Sequence, residues 1–160
     1  MDSRLLLLLG IGVLVMLIPL ALDEYGGAAG KKSGAGDAAA GGHGEQKISW
    51  IWNDLQRGIE IAGREDKPVL VDFWAEWCSW CVKMDREVMS DTEVAQYISR
   101  NFVPVKINSD LPENRNLLLM YQITGHPSFV ILDSNGSFLG KTIGYMPKEV
   151  FLQYLDKYVR

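Results

Sequence analysis

Val69-Leu70-Val71-Asp72-Phe73-Trp74 is a short, nearly continuous apolar run, followed after Ala75-Glu76-Trp77 by Cys78-Ser79-Trp80-Cys81. A run of this length reads as a strand buried on both faces. The only two cysteines of the chain lie here, where the strand pattern hands over to a helical one. Cys78 would then sit at a helix N-terminus, where unpaired amides and the helix dipole favour a thiolate. Cys81 lies one turn further on, within reach of a disulfide. Cys78 is the expected nucleophile and Cys81 the residue that resolves a mixed disulfide. Asp72 interrupts the apolar run; burying its carboxylate would raise its pKa and suit it to accept the Cys81 proton. Alternation alone also allows it to face solvent. Lys106, in Val103-Pro104-Val105-Lys106-Ile107-Asn108, would supply a positive charge near Asp72 or cap the strand in water.

The sequence on both sides alternates between helix and strand periods. Upstream, Ser49 would cap a helix whose face carries Trp52, Leu55, Ile59 and Ala62 and which stops before Pro68. Downstream, a helical stretch runs through about Val88, and Ser90-x-x-Glu93 resembles a capping box for a helix through Tyr97 and Ile98. Phe102 to Ile107 reads as a strand and Glu113 to Tyr121 as a helix. Ser128–Leu132 and Phe138–Ile143 flank the turn Asp133-Ser134-Asn135-Gly136, and Pro147 opens a last helix with Val150, Phe151, Tyr154, Leu155 and Tyr158. This order predicts an α/β domain over residues 47–160 with a central mixed β-sheet flanked by helices on both faces.

Two other stretches precede that domain. Leu5 to Leu22 carries no charge; as a helix its eighteen residues would span about 27 Å, close to a bilayer's hydrocarbon core. The run is longer than a signal peptide's apolar region and is followed by Asp23-Glu24-Tyr25, a poor cleavage site. Residues 1–22 are therefore expected to be an uncleaved single-pass anchor in the cytoplasmic membrane, a removed signal being the alternative. Arg4 and the N-terminus keep the short side inside and export the rest. Residues 23–46 are mostly Gly and Ala, too poor in apolar groups to offset ordering entropy, and read as a flexible tether with a reach on the order of 27 Å.

With net charge −4 over 160 residues, the chain lacks the basic excess of a nucleic-acid binder. Two cysteines three positions apart staple nothing distant, and with His43 and His126 the only histidines of the chain a closed four-ligand zinc site is not expected. No cofactor is expected beyond the dithiol itself, and a monomer is the default.

Val71-Asp72-Phe73-Trp74-Ala75-Glu76-Trp77-Cys78-x-x-Cys81 resembles the active-site signature of the thioredoxin superfamily. Val105-Lys106-Ile107-Asn108 is similar to the strand with that family's buried lysine, Gly125-His126-Pro127-Ser128 to its cis-proline loop, and Asn135-Gly136 through Gly144 to its closing hairpin. Forty-five residues separate Cys81 from Pro127, which leaves no room for the insertion usual in cytochrome-c-maturation relatives. Lys83 to Val88, Ser90-Asp91 and Asn101 to Val105 resemble the C-terminal domain of DsbD-type thiol:disulfide interchange proteins. The resemblance implies a thioredoxin fold and a thiol:disulfide oxidoreductase in which Cys78 attacks, Cys81 resolves, Asp72 manages the proton and Lys106 tunes it. It implies a substrate groove formed by Trp77, Ser79, Trp80, His126 and a cis Pro127, with Trp74 packed beside the dithiol. Implied partners are exported proteins with disulfides and a membrane electron donor of the DsbD or CcdA type. Ser79-Trp80 replaces the usual Gly-Pro, and His126 replaces an aliphatic residue or threonine. A protonated His126 beside Cys78 would make the pair more oxidising, so a disulfide oxidase or isomerase competes with the reductase. A non-catalytic binding module and a copper(I) chaperone are the readings from other classes.

Overall fold

The computed structural model describes residues 47–159; the expected anchor (1–22) and tether (23–46) lie outside them. Among the described residues, no helix is long and apolar enough to cross a membrane.

Five strands form one mixed sheet in the order β1-β3-β2-β4-β5. β1 (Ile51–Trp52), β3 (Val103–Asn108) and β2 (Val69–Trp74) are parallel, whereas β4 (Ser128–Leu132) runs antiparallel to β2 and β5 (Phe138–Ile143) antiparallel to β4. Among the described residues, five helices cover both faces: α1 (Leu55–Glu65), α2 (Ser79–Met84, continued by a π-helical turn Asp85–Met89), α3 (Thr92–Asn101), α4 (Arg115–Met120) and α5 (Lys148–Asp156).

The period of two in the central strands sorts the core into two layers. Val69, Val71 and Phe73 of β2, with Val130 and Leu132 of β4, pack with Leu55 and Ala62 of α1 and with Leu117 and Leu118 of α4. Leu70 of β2, with Phe129 and Ile131 of β4, packs with Met84, Val94, Ile98, Phe151 and Leu155 from α2, α3 and α5. A strand apolar at every position but one is what burial on both faces demands. The exception, Asp72, shares the parity of Leu70 and so belongs to the face covered by α2. Gly58 lets α1 settle on β3, since a Cβ there would overlap Cγ2 of Val105.

Several boundaries differ from the sequence expectation. No helix is capped by Ser49: Ile51 and Trp52 instead pair in parallel with Val105 and Lys106. The chain turns at Asn53 (φ 53°), and Asp54 caps α1 by accepting the Arg57 amide at 3.0 Å. Asp91, not Ser90, caps α3, accepting the Glu93 and Val94 amides at 2.9 and 3.2 Å. The Ser90 hydroxyl is engaged with the Arg86 carbonyl at 2.6 Å. With that hydroxyl taken up by the preceding turn, the neighbouring Asp91 carboxylate supplies the cap. Phe102 ends α3 rather than starting β3, a 3₁₀ turn over Pro112–Asn114 precedes α4, and Pro147 stands just before α5. The hairpin turn is as expected: Asp133 accepts the Asn135 and Ser137 amides, and Gly136 takes φ 85°.

Candidate active site

β2 ends and α2 begins within five residues, and this junction presents the cysteines. Cys78 is the N-cap of α2, extended at φ −83° and ψ 98°, and its Sγ accepts the Cys81 amide at 3.0 Å. Cys78 and Cys81 are joined in a disulfide with Cα atoms 5.2 Å apart. Both are buried, packed with Ala75 and against Trp74. On reduction, the amide aimed at Cys78 Sγ would favour a thiolate there.

The strand register builds the electrostatic partner of this dithiol. Asp72 and Lys106 are direct neighbours across the parallel β2–β3 pair, and they point to the same face. Lys106 Nζ lies 2.9 Å from Asp72 Oδ2 and also meets Asp85 Oδ1. Asp85 follows Cys81 by one helical turn, so the contacts run from the dithiol helix through Lys106 to Asp72. Asp72 is only 2% exposed, and its second oxygen, Oδ1, is buried without a hydrogen-bond partner. Burial pushes its pKa from 3.8 up to about 6; the Lys106 charge and hydrogen bond oppose the rise, and Asp85 adds to it. Burial works against the charge on Lys106, but the two carboxylates outweigh it and hold the ammonium above its ordinary pKa. The Nζ also stands over the rings of Trp50 and Trp74, at 5.1 and 5.8 Å.

Asp72 thus lies inside, settling the alternative that its spacing left open. Asp85 was missed, although its i+4 distance from Cys81 on one helix was a usable signal.

The expected groove residues form two groups. Trp77, 72% exposed, meets His126 edge to face at 5.6 Å, and the His126–Pro127 bond is cis. Trp80, 55% exposed, stacks obliquely on Tyr145 at 5.9 Å with Lys83 above both rings. Ser79 is exposed in the first turn of α2. For His126, whose charge the sequence left open, burial lowers the pKa against the pull of Asp110, and its Nε2 is paired with Ser109 Oγ at 2.7 Å. Burial thus works against a charge on this imidazole. Among the described residues, no three His, Cys, Asp or Glu side chains converge to hold a metal ion.

The sequence pattern described as a Thioredoxin-like domain matches residues 55–159. The chain belongs to this family. Among thioredoxin-like relatives, the thiol:disulfide interchange protein DsbD of Neisseria meningitidis is 29% identical over 106 residues, covering 64% of this chain and 18% of that protein. The thiol:disulfide interchange protein TxlA of Synechococcus elongatus is 35% identical over 103 residues, covering 62% of this chain and 51% of that one. This chain therefore spans at most about half the length of these two curated relatives. Among solved structures, the oxidised C-terminal domain of the Neisseria DsbD superposes with a TM-score of 0.59 at 27% identity, covering 68% of this chain and 98% of that domain. A thioredoxin from Thermus thermophilus gives 0.62 at 28% identity, covering 69% and 87%. A thioredoxin-like domain that closes Cys78 and Cys81 into a disulfide supports thiol–disulfide exchange.

Proposed function

We propose that this chain is a protein-disulfide reductase in which the Cys78–Cys81 dithiol is itself the redox centre. The observation that carries the reading is the disulfide at the head of α2, joined through Asp85 and Lys106 to a buried carboxyl with a pKa of about 6. In the reduced state the Cys78 thiolate attacks a substrate disulfide, forming a Cys78–substrate disulfide and releasing one substrate thiolate. Cys81 then loses its proton, for which Asp72 is the matched acceptor near neutral pH, and attacks Cys78 Sγ. The second substrate thiolate leaves and the Cys78–Cys81 disulfide re-forms. The substrate gains two electrons and two protons, and the domain must be recharged by a two-electron donor.

Leu5 to Leu22 supports a reading in which the domain is held at the outer face of the cytoplasmic membrane. There it would take electrons from a membrane donor of the DsbD or CcdA type and act on exported proteins. Because burial disfavours the charge on His126, this residue lends less support to an oxidising poise, and the reductase is the direction we favour.

A Cys81→Ser protein tests the two-step scheme. Reduced and mixed with insulin, it should accumulate a covalent adduct through Cys78, visible by mass spectrometry and reversed by dithiothreitol, because nothing remains to resolve it. An adduct no more abundant than with wild type would contradict the assignment.

A further inference from the structure

Ser109 and Asp110 form a turn after β3 that reaches both segments beside the dithiol. The Ser109 amide donates to the Trp74 carbonyl at 2.8 Å. Asp110 uses both carboxylate oxygens: Oδ2 accepts the Glu76 amide at 3.0 Å and Oδ1 accepts the Trp77 indole N–H at 2.9 Å. Ser109 Oγ pairs with His126, the residue before the cis proline. Loops joined over 33 residues on one side and 17 on the other therefore meet at two adjacent side chains.

The turn is itself braced from behind. Asn53 Oδ1 accepts the Asn108 amide at 2.8 Å and Asn114 Nδ2 at 3.0 Å; Nδ2 also donates to the Asn108 carbonyl at 2.8 Å, and Asn108 Oδ1 accepts the Asp110 amide at 2.9 Å. Asn108 and Asn114 are buried, whereas Asn53 and Asp110 are exposed, so the network ties the surface turn to buried amides. Its outcome is an indole that is largely exposed yet tied down at its nitrogen. An exposed tryptophan held in one orientation has already lost the rotamer freedom that binding would otherwise remove.

We infer that the Ser109–Asp110 turn is a positioning element for substrate docking: it orients Trp77 and His126 as one wall against an extended segment of the disulfide-bearing protein. This role rests on the reductase reading above and acts on binding, not on sulfur chemistry.

The test is steady-state reduction of insulin by the full chain with dithiothreitol as donor. Asp110→Ala and Ser109→Ala should each raise KM for insulin about threefold to tenfold, as expected for loss of one or two net hydrogen bonds, with kcat within about twofold. Asp110→Asn should fall between Asp110→Ala and wild type, because its NH2 group replaces one of the two carboxylate oxygens, each of which accepts one donor. Ser109→Thr, which keeps the hydroxyl, should restore KM. A role confined to stability would instead lower the melting temperature and kcat with KM unmoved, and that result would overturn the inference while leaving the reductase reading intact. Wild-type protein that accepts electrons from dithiothreitol but passes none to insulin would overturn both.

Discussion

Cys78→Ser is expected to lower protein-disulfide reduction by at least about 10³-fold, the largest loss of any substitution in the molecule. A serine hydroxyl cannot form the mixed disulfide, and the Cys78 Sγ that accepts the Cys81 amide is the atom through which the helix start would favour a thiolate. The substitution should be tolerated structurally, since an Oγ can accept the same amide in less space. It also opens a three-residue separation that the disulfide closes, a loop so short that the chain-entropy contribution is about 2 kcal/mol. The comparison is therefore with reduced wild-type protein, where stability should agree within about 1 kcal/mol while turnover differs by orders of magnitude. Retained turnover would mean that the dithiol is not the reacting group.

Asp72→Asn carries the second large effect, in opposite directions on stability and rate. The Asp72 carboxyl titrates near 6 in the folded protein against 3.8 without its surroundings, a rise of about two units or about 3 kcal/mol. Below pH 3.8 both folded and unfolded chains hold the proton and no penalty exists. Between 3.8 and 6 the folded state keeps a proton that the unfolded state has released, so wild-type stability falls as pH rises, and the full penalty applies above 6. Asn cannot ionise, and Lys106 keeps Asp85 as a partner. Urea unfolding should thus find Asp72→Asn more stable by up to about 3 kcal/mol at pH 8 and nearly equal to wild type at pH 3.5. Release of the mixed disulfide should slow by about 10²-fold and lose its rise through pH 6, because the matched proton acceptor is gone. Equal stability at both pH values would contradict the burial argument, and an unchanged release rate would remove Asp72 from the mechanism.

What the sequence could show depended on how local the signal was. The βα junction with its two cysteines, the apolar strands and the Asp133–Gly136 turn are contiguous patterns, and each appears where expected. β1 was missed because two residues are too few for a period, and Ser49 offered a plausible cap five positions before Asp54, which caps α1. The Asp72–Lys106 pair was legible only as a candidate: 34 positions separate them, and it is the parallel register of β2 on β3 that sets them side by side. Asp110 gave no signal at all, since its two bonds cross between loops. His126 was legible in position, but the burial that lowers its pKa was not, because it depends on the packing of distant segments.

The most direct test of the central claim is the reduction potential of the Cys78–Cys81 pair, from equilibration in graded thiol buffers followed by quenching and alkylation. A value near thioredoxin's, about −270 mV, is predicted for a domain that reduces protein disulfides. A value in the range of about −180 to −120 mV, that of disulfide isomerase and DsbA, would contradict the reductase assignment and reverse the direction of electron flow.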